Sequence, residues 1–118
     1  MSSDKLRYNE SNGLSEIDFA VVGVTFDNRQ DILKRIYPEY LNHVKIPVRL
    51  DPEPANIYDP YAIKVVLPTT EEIIGYVSKD FNKEILPIVS KIKDAYVLNI
   101  YMNRTRSMGI IIKICYEG

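Results

Sequence analysis

The feature that most constrains this chain is that its apolar residues come in short runs, each closed by turn residues. Six such runs stand out: "IDFAVVGVT" from Ile17, "HVKIPVRL" from His43, "AIKVVL" from Ala62, "EIIGYVS" from Glu72, "YVLNIYM" from Tyr96 and "MGIIIKICY" from Met108. They are rich in β-branched residues, and Val44, Ile46, Val48 and Leu50 alternate with polar neighbours, the period of a strand with one buried face. Gly23 inside the first run signals a bulge or close backbone approach, and Pro47 inside the second signals an edge or bulge. Only two stretches read as helix. In "DNRQDILKRIY" the Asp27–Gln30 spacing is that of a capping box, Ile32, Leu33 and Ile36 share a face, and Pro38 helps to end the segment. After Ser78, a good N-cap, the spacing of Phe81, Ile85, Ile88, Val89 and Ile92 is helical, with Pro87 dividing or kinking it. The order β-α-β-β-β-α-β-β predicts a mainly β fold with short helices, a bent sheet or six-stranded OB-like modified β-barrel.

The 118 residues suit one domain, and 46% hydrophobic with 26% charged residues is enough apolar material for a core without staples. Residues 1–15 are polar and read as a flexible N-terminal tail, leaving 16–118 as the folded domain. A single cysteine, Cys115, excludes an internal disulfide and lies in an alternating run, the pattern of a buried strand thiol. No run approaches the roughly 20 apolar residues of a membrane span, and the start lacks a secretory core, so a cytoplasmic location is expected. Net charge is −1, with 8 basic against 11 acidic side chains over residues 1–71 and 7 against 5 over 72–118. A solvated surface explains so mild an asymmetry as well as a polyanion site does.

Enzyme signatures are missing from the sequence. One cysteine and one histidine, His43 in a helix-to-strand loop, cannot make a zinc constellation. Five scattered glycines build neither a P-loop nor a dinucleotide fingerprint. Carboxylate pairs such as Asp51 and Glu53 occur in Pro-rich turns, as they do in any chain with 16 acids. The expectation is a non-catalytic protein with no cofactor and no metal.

The segment "ANIYDPYAIKV", Ala55–Val65, supports two readings. As a turn, Asn56 bonds its local backbone and Asp59, preceding Pro60, is held extended before the strand that starts near Ala62. As a site, Tyr58 offers a ring on which a nucleobase stacks, worth about 1–3 kcal/mol per base. Asp59 is an acceptor only, so it takes a hydrogen bond from a hydroxyl and repels a phosphate. Specificity of that kind uses repulsion as well as attraction.

Three blocks in order carry a family resemblance: "VVGVTFDNRQDIL", "VRLDPEPANIYDPYAIKV" and "IIGYVSKDFNKEILPIV". The middle block is the most specific, with apolar-x-Leu, a Pro-containing turn and Asn-x-Tyr-Asp-x-x-Ala-apolar-x-Val; Gly75–Val77 leading into a helix supports it. From about Ile17 to Tyr116 the chain resembles a HIRAN domain. That module is found at the N-terminus of fork-remodelling helicase-like ATPases and as a small separate protein in bacteria and phages. The resemblance implies a modified OB-like barrel that, in the eukaryotic remodellers, captures the 3′-hydroxyl end of single-stranded DNA.

Carried over by position, Asn56, Tyr58 and Asp59 fall on the pocket, with Asp59 facing the terminal hydroxyl and Tyr58 stacking on the terminal base. Phe26 completes the stack, Lys79 is placed to meet a backbone phosphate, and Tyr76 is a further pocket candidate. The sequence departs from those proteins in two places. Ile57 stands where they carry a proline, and Thr25, beside Phe26, lacks their basic side chain; Arg29 lies one helical turn away. The implied function is recognition of single-stranded DNA 3′ ends in DNA repair or replication restart, with a separately encoded helicase or nuclease as partner. The alternative is a protein–protein interaction module that keeps the fold without the DNA task.

Overall fold

The computed structural model describes residues 7–11 and 13–118, with side chains from residue 13 onward. The β-branched runs become strands that bury alternate residues. Among the described residues the order is β1 (Arg7–Ser11), β2 (Leu14–Ala20), α1 (Arg29–Leu41), β3 (Arg49–Pro52), β4 (Ile63–Leu67), β5 (Glu72–Tyr76), α2 (Asn82–Ile85), a 3₁₀ segment (Leu86–Lys91), β6 (Ile92–Met102) and β7 (Met108–Tyr116).

All pairings are antiparallel and fall into two sheets, β1-β2-β7-β6 and β3-β4-β5. The mainly β fold with short helices stands, but of the bent sheet or six-stranded OB-like barrel expected, no closed barrel forms, and the described residues make seven strands rather than six. Isolated bridges at Val22–Tyr76 and Pro47–Tyr96 link the sheets instead. Between the sheets lies one core: Ile17 and Phe19 from β2, Ile110, Ile112 and Ile114 from β7, and Ile63, Val65 and Ile74 from the smaller sheet. Helix α1 adds Ile32, Leu33 and Ile36, its one apolar face. Phe81 enters from the other side, its ring edge-on to Phe19 with centroids 5.2 Å apart.

Several local expectations change. Residues 7–11 and 14–15, read as tail, form the β1–β2 hairpin, with Ser11 opposite Leu14; residues 1–6 lie outside the described residues. A polar edge strand has no apolar period to announce it. The marker was the Asn-Gly dipeptide at 12–13, a two-residue hairpin signal, and Gly13 takes the left-handed φ of 78° that such turns need. The first long run does not continue as strand to Thr25, because β2 ends at Ala20 and Gly23 turns the chain at φ 72°.

The capping box does not form. Asp27 is left-handed at φ 54°, and the helix N-cap is Asn28 without a side-chain cap bond. Gln30 is drawn elsewhere: its amide donates to the carbonyls of Val24 and Met108, both at 2.9 Å, and accepts from the Met108 N–H at 2.7 Å. Three bonds to backbone groups outcompete one reciprocal cap. Pro38 does not end α1, which runs on to Leu41, since a proline three residues from the end costs few helical bonds. Val44 is exposed, and the regular ladder begins only at Arg49, although Ile46, Val48 and Leu50 are buried in the expected alternation. Ser78 accepts from the Asp80 N–H at 3.1 Å in a turn rather than capping α2. Pro87 does divide the second helical stretch, into α2 and the 3₁₀ segment.

The sheets approach most closely at Val22 and Tyr76, whose N–H and C=O groups exchange two hydrogen bonds of 2.9 Å. Gly75 makes this possible: a Cβ there would lie 2.5 Å from the Val22 carbonyl oxygen and collide with the Val21 side chain. Gly75→Ala is therefore expected to destabilise the fold by about 1–3 kcal/mol through overpacking. The thermal midpoint should fall by several degrees, whereas Gly13→Ala, with open space around its Cβ, should carry only the smaller cost of its backbone angle.

Candidate nucleic-acid interface

Beyond Val22 the chain turns at Gly23 and reaches Phe26 before entering α1. Across the joint, β5 ends at Tyr76 and runs through Val77 to Lys79, while the β3–β4 connection folds over from Glu53 to Ala62. These three segments enclose a cleft of about 690 Å³. Phe26, Asn56, Tyr58, Asp59, Tyr76 and Lys79, assembled from three separate stretches of sequence, all line it, and Arg29 joins them.

The β3–β4 connection is built by side chains bonding backbone. Asn56 Oδ1 accepts from the N–H groups of Tyr58 and Asp59 at 2.9 and 3.0 Å, an Asx turn, while Asn56 Nδ2 donates to Glu53 at 3.1 Å. Asp59 Oδ1 accepts from the Tyr61 N–H at 2.9 Å, and Asp59 Oδ2 from Asn82 Nδ2 at 2.9 Å. An ionised carboxylate has about four lone-pair sites, so Asp59 keeps acceptor capacity toward the cleft. The turn reading of this segment is thus structurally correct, and the same turn presents the groups of the site reading.

The rings differ in exposure. Tyr58 is 85% exposed and Phe26 65%, unusual for large apolar surfaces with no packing partner, and both offer open faces at the cleft. Tyr76 is half-buried, and its hydroxyl donates to Glu53 Oε1 at 2.9 Å. Burial, and then the hydrogen bond to Glu53, push its phenol above the ordinary tyrosine range, so it remains a neutral donor. The Arg29 guanidinium sits 5.5 Å from the Tyr76 ring centre and donates to the Gly23 carbonyl at 2.7 Å. Its side chain is only 11% exposed, with Asp27 at 3.7 Å. Lys79 is exposed at the rim.

Sequence reasoning missed Asn82 and Glu53 as partners of the cleft residues. Asn82 lay within an apolar helical stripe, and no spacing distinguishes a buried amide from a surface one. Glu53 read as one acid among several in a turn. Among the described residues no group of three or more His, Cys, Asp and Glu side chains could hold a metal ion. Cys115 is buried in β7, where loss of solvent raises its thiol above the ordinary range. Among the described residues no helix is long and apolar enough to cross a membrane.

A two-sheet β fold with a cleft rimmed by exposed aromatic rings, two carboxylates and two cations has the character of a small binding module. Compared with known families, residues 15–114 match the HIRAN domain, and the chain belongs to that family. HIRAN domains are DNA-binding modules, so membership supports a general DNA-binding role. No curated protein and no solved structure matches the chain.

Removing the Asn56 side chain should loosen the connection without unfolding the sheets. Asn56→Ala is expected to cost about 1–2 kcal/mol, the worth of a few part-exposed hydrogen bonds. It should also speed amide exchange at Tyr58 and Asp59 specifically. Asn56→Asp, which keeps the acceptor but sets its other oxygen against the Glu53 carboxylate, should recover only part of that protection; equal exchange in all three proteins would mean that the Asx turn does not order the loop.

Proposed function

We propose that this protein recognises the 3′-hydroxyl end of single-stranded DNA in the cleft between its two sheets, as a non-catalytic module. The observation that carries the reading is the convergence on one cleft of two exposed rings, Phe26 and Tyr58, with a carboxylate, Asp59, held by fixed donors. The terminal base stacks on Tyr58 against Phe26. Asp59 accepts from the 3′-hydroxyl, and Asn56 and Tyr76 shape the wall beside it. Lys79 meets a backbone phosphate, and Arg29 supplies the positive charge that Thr25 lacks. An internal nucleotide carries a phosphate where Asp59 sits and is repelled, so an end is selected over the middle of a strand.

The linked sheets correspond, in this reading, to a partly open OB-like arrangement, an architecture suited to single strands. The setting is cytoplasmic DNA repair or replication restart, beside a separately encoded helicase or nuclease.

Fluorescence anisotropy at low salt with three labelled single strands tests this: one with a free 3′-hydroxyl, one with a 3′-phosphate and one blocked at the 3′ end. Only the first should bind tightly. Tyr58→Ala should weaken it by about 5- to 150-fold, the equivalent of one stacked base. Asp59→Ala should erase the preference for hydroxyl over phosphate, with a fall of several degrees in the thermal midpoint because the buried Asn82 amide loses its acceptor. With two cations at the cleft, log affinity should fall with log salt at a slope of about −1.4, shallow for a nucleic-acid binder. Equal or absent binding of all three strands would sink the end-recognition reading and favour a protein-interaction module instead.

A further inference from the structure

Asn82 is one of two buried polar residues among the described residues, 2% exposed at the first position of α2. Its neighbours Phe81 and Ile85 are 5% and 0% exposed and belong to the apolar core. An amide in such a place is unfavourable unless its hydrogen bonds are made. Its Nδ2 makes one 23 residues back along the chain, to Asp59 Oδ2 at 2.9 Å. The other Asp59 oxygen takes the Tyr61 N–H at 2.9 Å.

We propose that Asn82 is a positioning residue for end recognition: it fixes the plane of the Asp59 carboxylate, and through it the preference of the cleft for a hydroxyl over a phosphate. This rests on the 3′-end reading given above. One donor on one oxygen leaves the carboxylate free to swing about that bond; a second donor on the other oxygen removes the freedom. The remaining lone pair of each oxygen then has a set direction. A hydroxyl donor is directional and gains from that order, whereas a misplaced carboxylate can turn away from a phosphate and admit it. The bond also comes from an element outside the loop. The buried N-terminal turn of α2 is rigid, so it imposes on Asp59 a position that the Asx turn alone does not determine.

A merely structural tie between α2 and the loop would change stability and affect all ligands alike. The distinguishing readout is therefore the ratio of affinities for 3′-hydroxyl and 3′-phosphate strands, measured on the full chain with Asn82→Ala, Asp59→Ala and the double variant. Asn82→Ala should lose about 5- to 10-fold in affinity for the hydroxyl strand and none for the phosphate strand. Added to Asp59→Ala it should change the ratio no further, because the amide acts only through that carboxylate. An unchanged ratio in Asn82→Ala, with the native preference intact, would overturn the positioning role and leave the end-recognition reading standing. No hydroxyl preference in the native chain would overturn both.

Asn82→Asp guards against a variant that fails to fold, being nearly isosteric, and gives a signature that packing cannot mimic. Two carboxyls in hydrogen-bond contact share a proton, and the protonated partner donates the bond that the amide gave. Asp27, Arg29, Tyr76 and Lys79 line the same cleft in both proteins, so a new titration reports the introduced carboxyl. The affinity of Asn82→Asp for the 3′-hydroxyl strand, which carries no terminal phosphate to titrate, should be near native at mildly acidic pH and fall relative to the native chain as the shared proton leaves. A flat, native-like profile in Asn82→Asp would overturn the proposal.

Discussion

The rest of the structure depends on the pair of backbone hydrogen bonds between Val22 and Tyr76. They join the sheets at the cleft end, as the bridge between Pro47 and Tyr96 joins them elsewhere, and without them Gly23–Arg29 has no fixed relation to the β3–β4 connection. With them, the chain leaving β2 is pinned against the end of β5, which sets Gly23–Arg29 and Tyr76–Lys79 beside the β3–β4 connection. Gly75 permits the approach by lacking a Cβ. Gln30 locks the far side by bonding Val24 and Met108 together. The two walls nearest this joint thus follow from closing two sheets on one core.

The loop that faces this joint is ordered by hydrogen bonds rather than by restricted dihedral angles. Ile57, 87% exposed, packs on nothing and occupies the place where the eukaryotic end binders carry proline. A proline would lower the entropy of the open loop before any contact forms. Here Asn56 bridges to two amides and Glu53, Glu53 is held in turn by Tyr76, and Asp59 is held by Tyr61 and Asn82. Each bond in such a network is modest alone, yet together they orient a carboxylate that a loop of this length would otherwise leave mobile.

Much of this was legible from residue order because burial writes a period. Ile46, Val48 and Leu50 alternate, Ile32, Leu33 and Ile36 share a helical face, and Pro87 breaks a helix where its missing N–H requires it. That Phe26, Asn56 and Lys79 share one cleft was suggested by the family pattern alone, since they are far apart in sequence and no periodicity joins them. What stayed hidden has no period at all. The β1–β2 hairpin is polar, so only Asn12-Gly13 marked it. The Asp27–Gln30 cap lost to backbone partners from β7 that spacing cannot reveal. Asn82 looked like any polar residue in a helix, and only its 2% exposure sets it apart. The two-sheet arrangement was likewise unreadable, since strand count does not say which edges stay open.

The acidic balance of the chain bears on the proposed function more favourably than it first reads. Among the described residues several cations away from the cleft are already matched: Arg35 with Glu72, Arg49 with Asp51 and Glu71, Lys45 with Asp94, Lys113 with Glu16. The exposed pairs among them add little stability, but all of them offset the long-range field that would draw any polyanion to any face. Inside the cleft, Arg29 is partly neutralised by Asp27, and Lys79 stands alone at the rim. A pocket meant to prefer a hydroxyl over a phosphate needs this restraint. Several unpaired cations around Asp59 would offset its repulsion and admit the internal phosphates it must reject. Affinity then has to come from stacking on Tyr58 and Phe26, which does not distinguish ends, while selectivity comes from one carboxylate whose charge is left unanswered. The weak basic field is, on this argument, a condition of end recognition, and the direction in which Asp59 points becomes the quantity that the fold must hold.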